Sequence, residues 1–382
     1  MSGVYDLQAP TAWVAAPERF GVTTLAAIEE CPRRWQLLHS AWGDHPTFPE
    51  RVSPRSVEGT IVHEALDGLL RALGARGLPS FGTEQFKAAA AASGFWEHFS
   101  RRIQEVNTSV AAHPRSGPGF LLKTPPRELA NVAVRLLRAH YRPLDKPVLP
   151  SVTAPRSTAK PDPMKLLRAR GNLSEVRVEH PRLPIVGTID LVELSGSSMH
   201  IVDFKTGAHR PEHVAQVLAY ALLWWRQTGE PPAGVSVQSP DQRITRSVTA
   251  QELEGVEQSL ESRIGDVQRK LKGTPAAAKV GVICAQCPVK ARCDAGWYHH
   301  QGQRPRGTAG TTDLEVTITG VPLESGFECT SGGRRVSVVY DVSAVGHLTT
   351  FKTGMRLRLI DAVARENEDV VEIRAWTEVF VA

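Results

Sequence analysis

Two stretches of alternating apolar residues, separated by a short turn, constrain the fold of this chain more than any other feature. They extend over residues 185–195 and 199–204, and Gly196-Ser197 lies between them. A glycine followed by a small polar residue favours a type II′ turn between antiparallel strands. In the register set by this turn, opposed residues have numbers that sum to 393. Asp190 then lies opposite Asp203 on one face, with Cβ atoms about 4.5–5.5 Å apart.

The two opposed carboxylates need a positive partner. Like charges directly across a hairpin are destabilising, and an apolar surround strengthens the repulsion. A divalent cation such as Mg²⁺ or Mn²⁺ would remove it and keep water ligands for chemistry. Lys205 shares the face of Asp203. The alternative is an exposed hairpin in which Asp203 pairs with Lys205 or Arg210. The other residues of this face are apolar: Val192, Leu194, Met199 and Ile201.

Two short motifs contain these acids, and two more lie elsewhere in the chain. The first two are Gly187-Thr-Ile-Asp190 and Asp203-Phe-Lys205-Thr-Gly in the hairpin, and the others are Gly59-Thr-Ile-Val-His63 and Gln216-Val-Leu-Ala-Tyr220. Together they resemble the core of the PD-(D/E)XK nucleases, and in particular the RecB-like branch with its G-x-x-x-H and Q-x-x-x-Y helices. The resemblance covers residues 20–297. It implies an α/β restriction-endonuclease-like nuclease core with a helical N-terminal part.

The resemblance implies a metal site at the hairpin. His63, Asp190 and Asp203 would bind Mg²⁺ or Mn²⁺, with the Phe204 carbonyl as a further ligand. Lys205 would position or activate the water that attacks the phosphorus. An imidazole is a good borderline ligand beside two carboxylates. Taken alone, however, His63 is more typical of a helix histidine that hydrogen-bonds its neighbours.

The same resemblance assigns roles beyond the metal. Gln216 and Tyr220 are four residues apart and share a helix face, so both can line the site and hold the DNA strand. Without the other motifs, this pair would be ordinary for an amphipathic helix. Glu179, in the strand before the hairpin, is a further candidate carboxylate.

Four of the five cysteines form a pattern typical of metal binding. Cys284, Cys287 and Cys293 have the spacing C-x2-C-x5-C, and Cys31 lies far upstream. Zinc ribbons usually use two C-x2-C pairs, which this pattern does not provide. It resembles the [4Fe–4S] cluster of RecB-like nucleases such as the AddB nuclease domain and the CRISPR adaptation nuclease. Zinc and buried structural thiols are the alternatives, and Cys329 is expected to be a buried small hydrophobe.

The charge distribution points to a polyanionic partner. Residues 1–310 carry 38 Lys and Arg against 29 Asp and Glu, whereas residues 311–382 carry 7 against 11. A basic body with an acidic C-terminal part fits nucleic acid, although simple solubility would also explain it. Four cations flank the cysteines and are predicted to contact DNA phosphates. They are Arg33, Arg34, Lys290 and Arg292.

The pattern of elements divides the chain into three parts. Residues 1–298 are predicted to form the nuclease domain with a helical insert, and residues 299–312, rich in Gly, Arg and Gln, a linker. Residues 313–382 are strand-rich and have the size of a small all-β, OB-like barrel. Its aromatic residues are sparse, so single-strand binding and partner docking are both open.

Composition excludes several other classes. Hydrophobic residues make up 41% of the chain, enough for a sizeable core, and no apolar stretch approaches 18 residues, so no membrane segment is expected. The start of the chain lacks the features of a secretory signal, and five cysteines are too few for a disulfide scaffold. We therefore expect a cytoplasmic, nucleoid-associated protein. No nucleotide-binding G-x-x-x-x-G-K-[ST] motif is present.

These observations predict a metal-dependent DNA nuclease with an iron–sulfur cluster. The expected substrate is DNA that is single-stranded or has free ends, cut by an exonuclease or flap-type activity in repair, recombination or defence. A helicase or repair-complex partner is expected. The alternative is a non-catalytic DNA-binding or scaffold subunit of a repair or CRISPR complex, in which the C-terminal domain is the working surface.

Overall fold

Two β-sheets organise the part of the chain that the structure describes. The computed structural model describes residues 4–43, 51–111, 113, 115, 122–141, 162–301, 311–340, 351–365, 369–374 and 376–381. One sheet has six strands and holds the hairpin, and the other has seven strands and contains the C-terminal part of the chain. None of the described helices is both long and apolar enough to cross a membrane.

The elements alternate between helical and strand-rich segments along the described chain. The helices are α1 (Val22–Glu30), α2 (Pro32–His39), α3 (Pro54–Gly74), α4 (Glu84–Ala92), α5 (Phe95–Ala111), α6 (Pro126–His140), α7 (Pro163–Arg170), α8 (Pro211–Thr228), α9 (Ala250–Lys270) and α10 (Asp294–Gln301). The strands are β1 (Val4–Asp6), β2 (Phe20–Gly21), β3 (Asn172–Glu179), β4 (Ile185–Ser195), β5 (Ser198–Phe204), β6 (Gly234–Gln238), β7 (Arg243–Ser247), β8 (Thr311–Ile318), β9 (Gly326–Ser331), β10 (Arg334–Tyr340), β11 (Arg356–Ala364), β12 (Val370–Ile373) and β13 (Glu378–Val381).

The predicted hairpin forms in the predicted register. Leu191 pairs with Val202 and Leu194 with Met199, so opposed residues sum to 393. Gly196 has a φ of 61°, which a primed two-residue turn requires and which glycine adopts without steric cost. The strands run in the order β2-β4-β5-β6-β7, and β3 pairs with β4 as an additional neighbour.

Helices cover both faces of this sheet. Val192, Ile201 and the fully buried Trp224 of α8 belong to one core, to which α1 and α9 also contribute. Leu191 and Val202 face the other core, which is formed with α3 to α6. The mixed α/β architecture expected from the sequence is therefore present, with a sheet between two helical layers.

Two pairs of consecutive helices, α1–α2 and α4–α5, are each separated by a short break. The stretch 23–40 breaks at Cys31, because Pro32 follows it and begins α2. The stretch 83–111 breaks at Gly94, whose φ of 63° ends one helix before the next begins. The short helix α7 was not predicted, and Asp162 caps it by accepting a hydrogen bond from the Met164 N–H.

The C-terminal strands close into a barrel. β8 pairs with β9, β9 with β10, β10 with β12, β12 with β11, and β11 returns to β8. The β10–β12 pair is parallel, and the other four are antiparallel. This closed five-strand barrel is compatible with the predicted OB-like domain. Cys329 is fully buried in its core, as predicted.

The N-terminus adds a strand to the C-terminal sheet. β1 pairs in parallel with β13, which is itself paired with β11. A shared core follows, in which Tyr5 and Trp42 pack with Trp297 and Phe380. Of the predicted linker, residues 299–301 belong to α10 and residues 311–312 to β8, and residues 302–310 lie outside the described part. The division at residues 298 and 313 stays a prediction.

Candidate active site and cysteine cluster

Asp190 lies at the end of the hairpin's paired region, beside the backbone of β5. Its Oδ2 accepts a hydrogen bond from the Phe204 N–H at 2.7 Å, and its Oδ1 lies 3.6 Å from His63 Nδ1. Because Leu191 pairs with Val202, the next position in the register brings Asp190 to Asp203. The carboxylate of Asp190 therefore joins the hairpin to helix α3.

Asp203 is enclosed and poorly neutralised. The residue is 1% exposed, and its Oδ2 forms an ion pair with Lys205 Nζ at 2.8 Å. Burial, followed by the negative charge of Asp190, raises the pKa of Asp203 to about 7. A buried carboxylate beside a second carboxylate, with one lysine as its ion-pair partner, is the kind of ligand that a divalent cation would stabilise.

Lys205, Gln216 and Tyr220 form one connected chain of side chains. Lys205 Nζ donates to Gln216 Oε1 at 3.1 Å, and Gln216 Nε2 donates to the Tyr220 hydroxyl at 2.8 Å. Burial raises the pKa of Tyr220, which therefore stays protonated. Gln216 thus holds the lysine ammonium beside Asp203, and the predicted i, i+4 pair lies at the site.

Two motif glycines permit close approaches around the site. A Cβ at Gly187 would lie 2.6 Å from Tyr220 Cε1, so only glycine lets β4 pass the tyrosine ring. A Cβ at Gly59 would lie 3.1 Å from Thr206 Oγ1, the residue after Lys205. These contacts give a packing reason for the first residue of two motifs.

His63 faces the site from α3. Burial lowers the pKa of its imidazole, but contact with Asp190 and the charge of that carboxylate outweigh burial, so the pKa of His63 lies above its ordinary value. Its ring also lies edge-on to Phe204, with centroids 6.4 Å apart. The predicted use of the Phe204 carbonyl as a ligand stays a prediction.

Glu175, rather than Glu179, is the strand carboxylate at this site. One ligand atom from each of His63, Glu175 and Asp190 lies within 4.8 Å of the other two. Glu179 is instead half exposed and forms an ion pair with Arg19 at 2.6 Å, so its prediction as a site residue is corrected. The β3–β4 register, with sums of 365, places Glu175 across from Asp190. That register could have identified Glu175. However, the sequence between β3 and β4 has no tight turn from which the register could be predicted.

The donors present fit Mg²⁺ or Mn²⁺. Carboxylate oxygens are the ligands that both ions prefer, and one imidazole nitrogen suits Mn²⁺ in particular. Asp203 does not belong to the group of three formed by His63, Glu175 and Asp190. The predicted set of His63, Asp190 and Asp203 is therefore divided. Asp190 lies with His63 and Glu175, and its Oδ2 accepts a hydrogen bond from the N–H of Phe204, the residue after Asp203.

The four predicted cluster cysteines line one small cavity. Cys31 precedes α2, Cys284 lies in a 3₁₀ helix (Val282–Gln286), and Cys293 precedes α10. A Cβ at Gly296 would lie 3.5 Å from the Sγ atoms of Cys284 and Cys293. Burial raises the pKa of the Cys287 thiol to about 11, so a thiolate there needs a positively charged partner.

The spacing of the sulfur atoms bears on which metal could bind. Four sulfurs at 2.3 Å from a tetrahedral zinc lie about 3.8 Å apart. Among the residues that the structure describes, no three cysteine sulfurs lie within 4.8 Å of one another. The arrangement is wider than a single zinc ion needs.

The four cations predicted to contact DNA all have partners within the chain. Arg33 donates to the Ala276 carbonyl, and Arg34 pairs with Glu30 at 2.6 Å. The other two are Lys290, which is 8% exposed and paired with Asp313, and Arg292, which lies over the Trp42 ring at 3.9 Å. The expectation for Lys290 is corrected, because an enclosed ammonium paired with a carboxylate has no free surface for a phosphate. DNA contact by the three arginines stays a prediction.

Comparison with known proteins identifies one family. The family model described as PD-(D/E)XK nuclease superfamily matches residues 19–294. No curated protein matches the chain.

One solved structure with a distant likeness is described as "Crystal structure of SSO0001". It is 14% identical, has a TM-score of 0.21, and the match covers 35% of this chain and 66% of that chain, less than two thirds of its length. A likeness at this score carries no argument about fold or activity.

Proposed function

We propose that this chain, which belongs to the PD-(D/E)XK nuclease superfamily, is a RecB-like DNA nuclease that uses Mg²⁺ or Mn²⁺. The observation that carries the proposal is the contact between Lys205 and the buried Asp203, one residue from the backbone N–H that binds Asp190. An ammonium held beside carboxylates that can bind a cation is suited to hydrolysis of a phosphodiester. The superfamily match supports the nuclease activity. We infer the RecB-like branch, the Mg²⁺ or Mn²⁺ cofactor and the DNA substrate.

Each side chain has a definite task in this reaction. A bound divalent cation would supply positive charge to the phosphoryl oxygens and make the attacking water more acidic. Lys205, held by Asp203 and Gln216, keeps its ammonium where it can orient the water or stabilise the negative charge that develops on the phosphoryl group. Tyr220 can donate or accept a hydrogen bond beside the bound DNA strand. Burial raises the pKa of its hydroxyl and keeps it neutral.

The proposed substrate is DNA that is single-stranded or has free ends. The basic body of the chain favours a polyanion, and the C-terminal barrel is compatible with a domain type that binds single strands. Exonuclease or flap cleavage, action in repair, recombination or defence, a helicase partner and a nucleoid location belong to the same proposal.

We also propose that Cys31, Cys284, Cys287 and Cys293 hold a [4Fe–4S] cluster. The four residues line one cavity, and their sulfurs are spaced more widely than zinc requires. A cubane cluster is larger than one ion and takes four thiolates. It would join the start of α2 to residues about 250 positions later and so fix both ends of the nuclease domain.

The test of the nuclease proposal is digestion of end-labelled single and double strands in Mn²⁺. Wild-type protein is expected to cut, whereas Asp203→Ala is expected to lose cleavage and still bind DNA. Asp241→Asn is the matched control, because Asp241 is 85% exposed in its side chain and pairs only with Arg135 among the described residues. Cleavage by Asp203→Ala at the wild-type rate would refute the site. Binding by wild type without cleavage of either strand form would favour the scaffold function.

A further inference from the structure

The segment that follows the hairpin is rich in hydrogen-bond donors that the motifs do not include. Residues 205–216 contain Lys205, Arg210 and two histidines, against a single glutamate. Both ends of the segment belong to the candidate site, because Lys205 Nζ donates to Gln216 Oε1 at 3.1 Å. The loop and the first turn of α8 between these two residues therefore lie at the edge of the site.

His213 lies on the same side of α8 as the site residues of that helix. It precedes Gln216 by three positions and Tyr220 by seven, which is the spacing of one helix face. The residue is partly exposed. Burial, followed by the positive charge of Lys205, lowers the pKa of His213. Its imidazole is therefore neutral at neutral pH and lies near the lysine.

The hydrogen bond of His213 determines which of its ring nitrogens carries the proton. Nδ1 lies 3.2 Å from the backbone nitrogen of Arg210. A backbone N–H can only donate, so Nδ1 accepts, and the proton of the neutral ring is on Nε2. Within the part of the chain that the structure describes, Nε2 has no hydrogen-bond partner. His213 thus offers one N–H donor beside the site.

His209 packs against this ring and brings a second ring nitrogen to the same place. The two rings meet edge to face, with centroids 5.7 Å apart and planes inclined by 78°. Nδ1 of His209 is buried and has no hydrogen-bond partner among the described residues. Buried polar atoms are nearly always paired, so an unpaired one favours a polar ligand at this position.

We propose that the Nε2–H of His213 donates a hydrogen bond to a phosphate of the bound strand, next to the phosphate that is cleaved, and that His209 lines the same phosphate position. The inference rests on the proposed nuclease function and deepens it. The positive end of α8, together with Lys205 and Arg210, favours the negative charge of a phosphate there. His213 binds a phosphate that keeps its bonds, so it positions the strand and takes no part in the chemical step.

Two substitutions separate this role from that of capping the helix. His213→Asn keeps an acceptor close to the position of Nδ1, and so keeps the hydrogen bond from the Arg210 N–H, but it lacks the distal donor. His213→Gln has the distal donor and lacks the near acceptor. A residue that only caps the helix is replaced better by Asn, whereas one that binds a phosphate is replaced better by Gln.

The measurement is the Kd of the full chain for an end-labelled single strand in chelator, with thermal melting of each variant. We expect His213→Asn to bind about tenfold more weakly than wild type, because loss of a hydrogen bond to a charged group has an effect of this size. It should melt as wild type does. His213→Gln should bind better than His213→Asn and melt at a lower temperature. In Mn²⁺, His213→Asn should raise KM and leave kcat unchanged.

Wild-type affinity in His213→Asn would overturn the proposal, and so would a His213→Gln that binds no better than His213→Asn. Absence of binding by wild type would overturn it as well. If neither variant folds, nitrogen NMR of wild type in chelator replaces them. The Nε2–H signal of His213 should then shift when the strand is added, and an unchanged signal would overturn the proposal.

Failure of this proposal is distinct from failure of the nuclease proposal. Cleavage by Asp203→Ala at the wild-type rate would refute the nuclease site itself. Loss of cleavage in Asp203→Ala, together with wild-type affinity in His213→Asn, would refute only the phosphate contact of His213.

Discussion

At the residue scale, the geometry of the site depends on the motif glycines as much as on the charged residues. Gly187 lies on β4 against the Tyr220 ring, and Tyr220 in turn holds Gln216 and, through it, Lys205. The position of the Lys205 ammonium therefore depends on a residue without a side chain.

Replacing Gly187 by Ala is expected to displace Tyr220 and loosen the chain of hydrogen bonds to Lys205. We expect cleavage to fall by about 10²-fold, because small displacements of positioned groups have effects of this size. Gly255→Ala is the control, since Gly255 lies exposed in α9 with no atom within 4 Å of the added Cβ, and its added helix propensity should raise stability by about 1 kcal/mol. Cleavage rates and thermal melting measure both effects, and an unchanged rate in Gly187→Ala would contradict the account.

The raised pKa of Asp203 predicts a pH dependence of stability. An aspartate in an unfolded chain loses its proton near pH 4, but burial and Asp190 raise the pKa of Asp203 in the folded protein to about 7. Between these values the unfolded chain binds fewer protons, so stability of the cation-free protein is expected to fall as pH rises from about 4 to 7. Asp203→Asn should lack this part of the slope.

Thermal melting of both proteins in chelator across that pH range measures the difference. Adding Mg²⁺ above pH 7 should restore the stability of wild type more than that of Asp203→Asn. Parallel melting curves for the two proteins at every pH would show that the Asp203 carboxylate is not strained in this way.

At the element scale, the register of the hairpin was predictable, and the register of the strand before it was not. Gly196-Ser197 sets the β4–β5 register, so Asp190 and Asp203 could be paired from the sequence alone. The β3–β4 connection has no such turn, and the phase of side-chain alternation changes on both strands. Ile189 and Val192, three residues apart on β4, pack in the same core. The regular alternation of side chains between the two faces of the sheet is therefore interrupted near Asp190. For this reason the sequence pattern could not identify Glu175 as a site residue.

Breaks within helices were also beyond sequence periodicity. The apolar spacing continues through Cys31 and Gly94, while proline and a left-handed glycine end the helices there. The strand β1 could not be predicted either, because three residues carry too little pattern and their partner β13 lies at the opposite end of the chain. Local patterns define elements, whereas long-range pairing decides where a short strand belongs.

At the scale of the whole molecule, buried ion pairs join the cysteine region to the barrel. Glu378 of β13 accepts hydrogen bonds from Arg115 at 3.0 Å and Arg51 at 2.8 Å. The buried side chain of Arg358 in β11 also pairs with Asp294 of α10 at 2.7 Å, although the Asp294 side chain is 75% exposed. The barrel is thus attached through the buried Glu378–Arg115 pair and through the core around Trp297, so the proposed cluster and the barrel share one region of the molecule.

Replacing Glu378 by Gln would leave Arg115 and Arg51 without their shared carboxylate. Removing one partner of a buried ion pair destabilises by about 3–5 kcal/mol, because an uncompensated charge stays enclosed. We expect a loss of about this size in the free energy of unfolding, measured in urea. Asp241→Asn removes an exposed pair and should change the free energy by about 0.5 kcal/mol or less. Equal effects of the two variants would contradict the buried junction.

The proposed cluster predicts a difference between cysteines. After anaerobic purification, wild-type protein is expected to be brown and to contain iron and acid-labile sulfide, and Cys31→Ser is expected to lose both. Cys329→Ala should keep them, because Cys329 lies in the barrel core. A colourless wild-type protein that contains zinc would contradict the cluster.

We propose that the residues at the end of the hairpin hydrolyse DNA. Asp190→Asn tests this most directly, because Asp190 contacts both His63 and the backbone N–H of Phe204. The measurement is the initial rate of cleavage of an end-labelled single strand in Mn²⁺, compared between wild type, Asp190→Asn and Asp241→Asn. We expect wild type and Asp241→Asn to cut at the same rate, and Asp190→Asn to be slower by about 10³-fold. Cleavage by folded Asp190→Asn at the wild-type rate would contradict the account.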